Sequence, residues 1–197
     1  MRSTDVKALA QALQLQDLQP ANWQYGIWHS VESDDYAVFV SPPVNGWMLA
    51  VGTPILFEAD EHATQRMIEL SRQFGEVQFF ASMRTSEAYA WARAKDGRLI
   101  RRFYEGDGTR SEAGPLTEEE RELGQKFFDA ASPEAKDPGY WKRKDLSRLD
   151  EDYVLKIAGK WSVDPTKLNE LGLAPALGIV GKPSGSYPPS PRRTRRH

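Results

Sequence analysis

Aromatic rings and guanidinium groups recur at alternate positions in residues 89–104, where the sequence is YAWARAKDGRLIRRFY. Alternate side chains of a strand point to the same face of its sheet. A face that carries both groups can bind a planar or anionic ligand, such as a nucleotide, by stacking and cation–π contact. A second layer formed by the C-terminal helices, with Trp161, would instead cover this face, and we favour this second interpretation. The residues of this predicted aromatic–arginine face are Tyr89, Trp91, Arg93, Arg102 and Tyr104.

Two acidic clusters are the other candidates for function, as surfaces that would contact a basic protein. The first precedes a predicted strand at a turn, and the second leads into a predicted helix. Other acidic runs, at 118–122 and 150–152, are typical of solvated helix surfaces. The two clusters that we predict to bind a partner are Glu32, Asp34 and Asp35, and Glu58, Asp60 and Glu61.

The net charge of −2 is unevenly distributed along the chain. Residues 181–197 contain five of the 26 basic residues and none of the 28 acidic residues, which leaves 21 basic against 28 acidic, a net charge of −7, in residues 1–180. A negative field disfavours nucleic acid as a partner and accelerates association with a positively charged protein. We therefore expect a basic protein partner.

Residue types that commonly perform catalysis are scarce. The absence of cysteine excludes disulfides, thiolate metal sites and cysteine nucleophiles. Of the three histidines, His29 lies in a predicted strand and His62 in the first turn of a predicted helix, where carboxylates are favoured electrostatically. The sequence has no HExxH, zinc-ribbon, EF-hand, phosphate-loop or GxSxG motif. We expect no catalytic residues, no metal and no cofactor.

An Asp-Gly pair at positions 96 and 97 predicts the tight turn that positions the aromatic–arginine face. Both central residues of a type I′ turn need positive φ, which Asp-Gly adopts readily. An unbroken hairpin around this turn would pair Ala94 with Leu99 and Trp91 with Arg102. The opposite face would then carry Ala88, Ala90, Ala92 and Ala94 against Leu99 and Phe103, a smooth surface on which a helix can lie.

The remaining pattern predicts an α+β fold with a mainly antiparallel sheet of about five to six strands, a helix packed on one face and C-terminal helices. We predict a helix that ends near residue 16, strands at 23–31, 36–40 and 47–51, a helix at 61–74 and three strands within 76–104. A capping box at Thr117 and Glu120 predicts a short helix, and another helix follows from about residue 150 to 160. We expect one domain over residues 1–172. Residues 173–197, rich in proline, glycine and arginine, are predicted to form a flexible tail, and the part beyond about Gly181 is predicted to be dispensable for folding.

Three blocks of sequence occur in a fixed order: GWMLAVG at 46–52, GEVQFFASMRTSEAYAWARAKDGRLIRRF at 75–103, and KIAGKWSVDP at 156–165. In order and spacing they resemble a family of bacterial proteins of unknown function, over most of residues 20–170. The resemblance supplies no catalytic residues. Chains of this size and composition are also similar, as a class, to the immunity proteins encoded beside polymorphic or type VI secreted toxins.

These observations predict a cytosolic immunity protein that occludes the active site of a cognate bacterial toxin. The sequence has no secretory h-region and no apolar run of the ~20 residues needed for a membrane span. We therefore expect a cytoplasmic protein that binds a toxin domain with a basic cleft, and neither nucleic acid nor membrane. The alternative is an enzyme that binds a small ligand or nucleotide on the face of Tyr89, Trp91 and Arg102.

Overall fold

The computed structural model describes residue 1 and residues 5–33, 35–53 and 61–184; the side chains of Glu61 and His62 lie outside this description. Within these residues the helices are α1 (Val6–Ala12), α2 (Trp23–Ile27), a π-helix (Trp28–Glu32), α3 (Glu61–Phe74), α4 (Glu118–Leu123) and α5 (Glu151–Trp161). The strands are β1 (Leu15–Ala21), β2 (Val38–Val40), β3 (Ala50–Val51), β4 (Glu76–Met83), β5 (Ala88–Lys95), β6 (Arg98–Gly106), β7 (Thr109–Ala113) and β8 (Gly178–Pro183). Short 3₁₀ helices occupy Pro133–Lys136, Tyr140–Lys142 and Pro165–Glu170.

The α+β class with mainly antiparallel strands is confirmed, but the described strands form two four-stranded sheets and not one larger sheet. Where we predicted one domain, the chain divides into two compact units. The first unit comprises Met1–Thr4, Pro43–Met48 and Leu56–Pro175, and the second comprises Asp5–Pro42, Leu49–Ile55 and Ala176–His197. None of the described helices is long and apolar enough to cross a membrane.

The sheet of the first unit joins β4, β5, β6 and β7 in sequence order by antiparallel pairing. The predicted turn is confirmed, because Asp96 and Gly97 have φ values of 48° and 77°. Ala94 pairs with Leu99 as expected, but Arg93 pairs with Arg101, so Ile100 is an extra residue that forms a β-bulge. A bulge of one residue moves every later side chain of its strand to the opposite face of the sheet. The predicted register is therefore wrong beyond Ile100.

One face of this sheet is covered by α3, as predicted for the alanine face. Ala92 and Ala94 are fully buried against Met67 of α3, with Val77 beside them. Ser71 Oγ of the same helix accepts a hydrogen bond of 2.9 Å from the N–H of Gly97, which ties α3 to the hairpin turn. The small alanine side chains let the helix lie close to the sheet.

The opposite face carries the C-terminal helices. Trp91 and Phe103 form one core with Tyr153, Ile157 and Trp161 of α5. Phe103 was expected on the alanine face, and the bulge places it here instead. The short α4 begins with the predicted capping box, in which the Thr117 hydroxyl and the Glu120 carboxylate each accept a hydrogen bond from the other's backbone N–H.

The sheet of the second unit has the strand order β1, β8, β2, β3. Strand β8 lies between β1 and β2, pairing Gly178 with Ala21 and Val180 with Phe39. The prediction of a flexible tail from residue 173 is therefore wrong for Gly178–Pro183. A Cβ atom at Gly178 would lie 2.2 Å from the carbonyl oxygen of Val40, so glycine here permits a close approach of two strands. The rest of that predicted tail, residues 185–197, lies outside the described residues.

Several elements of this unit also differ from the sequence-based expectation. Residues 23–31, predicted as a strand, form α2 and most of the π-helix. Asn22 caps α2, since its Oδ1 accepts a 2.8 Å hydrogen bond from the N–H of Tyr25. The first helix ends at Ala12, and β1 begins within the range that we had predicted for that helix. In the first unit, β7 is a strand that the sequence pattern did not predict.

Candidate functional site

The predicted aromatic–arginine face is divided between the two faces of its sheet. Because of the bulge, Arg102 pairs with Ala92 and Tyr104 with Ala90, so both lie on the side of α3. Arg102 Nη1 donates a 3.0 Å hydrogen bond to Thr64 Oγ1 of that helix. Tyr89, Trp91 and Arg93 remain on the other face. The five residues therefore do not form one surface.

The half of this face that includes Trp91 is buried. The Trp91 side chain is 1% exposed, stacks on Phe103 with ring centroids 4.0 Å apart, and donates a 2.9 Å hydrogen bond from Nε1 to Glu120. Tyr89 packs against the same core, and Arg93 lies over the Trp161 ring at 5.6 Å. The structure therefore has the second layer that we considered from the sequence, because α5, with Trp161, covers this face.

Three arginines of this sheet are paired with carboxylates of the protein. Arg93 Nε donates to Glu76 at 2.7 Å, and Arg101 Nε donates to Glu120 at 2.9 Å. Arg110 Nε donates to Glu105 at 2.8 Å. Their guanidinium groups satisfy buried or partly buried carboxylates and stabilise the core, and they are not presented to a ligand.

The acidic clusters are only partly described. Glu32 is exposed at the end of the π-helix, and Asp35 follows it with its side chain 42% exposed. Glu61 begins α3, but its side chain lies outside the description. Asp34, Glu58 and Asp60 lie outside the described residues, so their predicted role stays a prediction.

Asp35 belongs to a polar cluster with His29 and Ser33. Asp35 Oδ2 accepts hydrogen bonds from His29 Nδ1 at 2.5 Å and from Ser33 Oγ at 2.9 Å. The bond from Ser33, and then that from His29, hold the pKa of the Asp35 carboxyl below its usual value; the charge of Lys182 acts in the same direction. An ionised carboxylate can only accept hydrogen bonds, so Nδ1 of His29 carries the proton.

Two exposed aromatic rings pack on the imidazole of His29. The Tyr25 ring lies 4.1 Å from the imidazole at an angle of 48°, and the Trp28 ring lies 4.6 Å away at 88°. Tyr25 and Trp28 are 43% and 49% exposed. We missed these two residues because the segment was interpreted as a strand. The signal that favours a helix is the capping asparagine at position 22.

An open cleft of about 540 Å³ lies beside this cluster in the second unit. Its lining includes Asp17, Tyr25, His29, Asp35 and Lys182. The lining residues include no serine, threonine or cysteine that the histidine could activate as a nucleophile. This set of acidic, basic and aromatic groups is suited to recognition of a polar surface.

The described residues contain no group of three or more histidine, aspartate or glutamate side chains that could hold a metal ion. Comparison with models of protein families, with curated proteins and with solved structures finds no match to this chain.

Proposed function

We propose that this protein is a cytoplasmic immunity protein that binds a bacterial toxin domain with a basic cleft and blocks its active site. The observation that carries the proposal is the surface formed by Tyr25, Trp28, Glu32 and Asp35. It combines exposed aromatic rings with exposed carboxylates. Interfaces of specific protein complexes commonly place aromatic residues at their centre and polar groups around them.

The negative charge that would attract a basic toxin is local. Over the described residues as a whole, exposed acidic and basic side chains are nearly equal in number. In the described part of the second unit, four acidic residues accompany two basic ones. These residues are Asp5, Asp17, Glu32 and Asp35, and Lys7 and Lys182. The four arginines within residues 192–196 add positive charge to the same unit, so these carboxylates would attract a basic partner at short range, beside the exposed rings.

The alternative function, an enzyme that uses the face of Tyr89, Trp91 and Arg102, loses its main support. Trp91 and Arg102 lie on opposite faces of the sheet, and Trp91 is buried. A planar ligand would have to displace α5 to reach the indole. Binding of a protein partner needs no such rearrangement.

Charge reversal tests the proposal. Replacing Glu32 with lysine changes the local charge by two units. At a separation of about 10 Å in water, each pair of charges interacts by about 0.4 kcal/mol, so this change corresponds to roughly a fourfold lower association rate. Surface plasmon resonance against the toxin domain encoded by the adjacent gene measures that rate, in 0.05 M and in 0.5 M salt. The effect should fade at high salt, where the Debye length becomes short.

The matched control is Glu118→Lys, which reverses an exposed charge on α4 of the first unit. We expect its association rate to equal that of the parent protein, and thermal melting of both variants confirms that they fold. Equal effects of the two reversals would indicate a nonspecific response to net charge. Failure of the parent protein to bind the product of any adjacent gene would overturn the immunity proposal.

A further inference from the structure

We infer that Tyr25 and Trp28 are the anchors by which a basic toxin domain docks, and that Asp35 is a positioning residue that holds them through His29. This inference rests on the proposed function. It assigns Asp35 a different role from the one that the sequence suggests, in which its charge contacts the partner directly. The two roles predict different effects of the same substitutions.

The carboxylate of Asp35 is already engaged within the protein. Oδ2 accepts from both His29 Nδ1 and Ser33 Oγ, and the Asp35 N–H donates back to Ser33 Oγ at 3.3 Å. A partner arginine would compete with these hydrogen bonds for Oδ2 and could not bind both carboxylate oxygens without weakening them. Asp35 is therefore better suited to hold the imidazole of His29 in one orientation, as a carboxylate does for a metal-bound or catalytic histidine.

The imidazole in turn supports both exposed rings. Tyr25 and Trp28 contact it at different angles, so its orientation constrains the position of each ring. The following turn is held as well, because Ser33 Oγ lies 3.0 Å from the carbonyl oxygen of His29 and the Ser33 N–H donates to that of Trp28 at 2.9 Å. Rings that are fixed before binding lose less conformational entropy when a partner arrives.

The chemistry of this surface fits a basic protein. Tryptophan and tyrosine are enriched among the residues that contribute most to binding energy in protein interfaces. Here they are flanked by Glu32 and by Asp17, which are both exposed, and the segment that carries Trp28 is a π-helix, a conformation that often occurs at functional sites. A partner with an arginine- or lysine-rich cleft would complement the carboxylates while its apolar atoms cover the rings.

Five substitutions in the full-length chain test the inference, with surface plasmon resonance against the adjacent gene's toxin domain as the assay. Asp35→Asn keeps an oxygen that accepts the His29 Nδ1–H but removes the charge, whereas Asp35→Ala removes both. Trp28→Ala removes an anchor, and Leu177→Ala removes another exposed apolar side chain of the same unit as a control. Far-UV circular dichroism and thermal melting establish that each variant is folded.

We expect Trp28→Ala and Asp35→Ala each to increase the dissociation rate roughly tenfold or more, and Asp35→Asn and Leu177→Ala to change it less than about threefold. Trp28→Phe retains a ring and should recover much of the affinity even if Trp28→Ala folds poorly. Equal, salt-dependent losses in Asp35→Asn and Asp35→Ala would show that Asp35 acts by its charge. Parent-like binding by Trp28→Ala would show that this surface is not the docking site; binding of the parent protein to the toxin domain would still decide the proposed function independently.

Discussion

Replacing Glu120 with glutamine should strongly destabilise the first unit, because one carboxylate satisfies several buried donors between the sheet and α4. It accepts hydrogen bonds from Trp91 Nε1 at 2.9 Å, from Arg101 Nε at 2.9 Å and from the N–H of Thr117 at 2.8 Å. Arg101 and Glu120 are 1% and 4% exposed, so water cannot readily replace the lost contacts.

The expected loss of stability follows from the chemistry of the ion pair between Arg101 and Glu120. Glutamine preserves the shape of glutamate but has no charge, and its amide group presents two donors to groups that need an acceptor. Removing one partner of a buried ion pair costs roughly 3–5 kcal/mol. Arg101 retains a 2.8 Å contact with Glu112, so we expect a loss of about 3 kcal/mol in the free energy of unfolding.

Urea unfolding, followed by tryptophan fluorescence and circular dichroism, measures this loss. Arg101→Met removes the other charge of the pair, and the double variant should be more stable than the sum of the single effects implies, by about 1–3 kcal/mol. Such coupling is expected when the second substitution removes the unpaired buried charge that the first one leaves. A Glu120→Gln protein within about 0.5 kcal/mol of the parent would refute the buried network and the register that creates it.

Three further predictions concern the fold and the surface cluster. Ala92→Leu should overpack the contact with α3 and lower the free energy of unfolding by roughly 1–3 kcal/mol in urea, and a parent-like value would contradict the assignment of faces. A chain that ends at Leu177 lacks β8 and should lose part of its circular dichroism melting transition, whereas one that ends at Ser184 should melt like the full chain; identical melting of the two would contradict the central position of β8. Because hydrogen bonds lower the pKa of Asp35, the stability that they contribute is present above about pH 4 and is lost as the pH falls through the lowered pKa. Carbon-13 NMR titration should give a pKa below 3.8, and a value above it would contradict the hydrogen-bonded geometry.

The first sheet shows how far a sequence pattern can specify a hairpin. Asp96-Gly97 predicted the turn, and the alanine pattern predicted the face on which α3 lies. The bulge at Ile100 could not be predicted, because it depends on contacts distant in sequence. Arg101 reaches Glu120 only from the face of α5, and the chain just after β7 passes so near that a Cβ at Gly114 would lie 2.2 Å from the Ile100 carbonyl oxygen.

The second unit was harder to predict because composition was misleading. Residues 23–31 contain aromatic and β-branched residues that are typical of strands, yet Asn22 caps a helix and Gly26 allows that helix to approach Phe39. Glycine in β8 suggested a flexible tail, but at Gly178 it permits close strand packing. Local propensity is overridden in both places by tertiary contacts.

The candidate site was predicted in part. Glu32 and Asp35 were selected from charge alone, but sequence gave no reason to connect Asp35 with His29. That contact joins a helical residue to a loop residue six positions later and depends on the π-helix. The exposure of Tyr25 and Trp28 could not be predicted from the sequence either, because aromatic residues are more often buried than exposed.

The measurement that most directly tests the proposed function is inhibition of the toxin itself. The purified toxin domain encoded beside this protein is assayed on its own substrate while increasing amounts of the full-length chain are added. The proposal predicts that toxin activity falls to background once the inhibitor is in excess, and that Trp28→Ala requires a higher concentration for the same inhibition. Full toxin activity in the presence of excess, folded protein would contradict the proposed function.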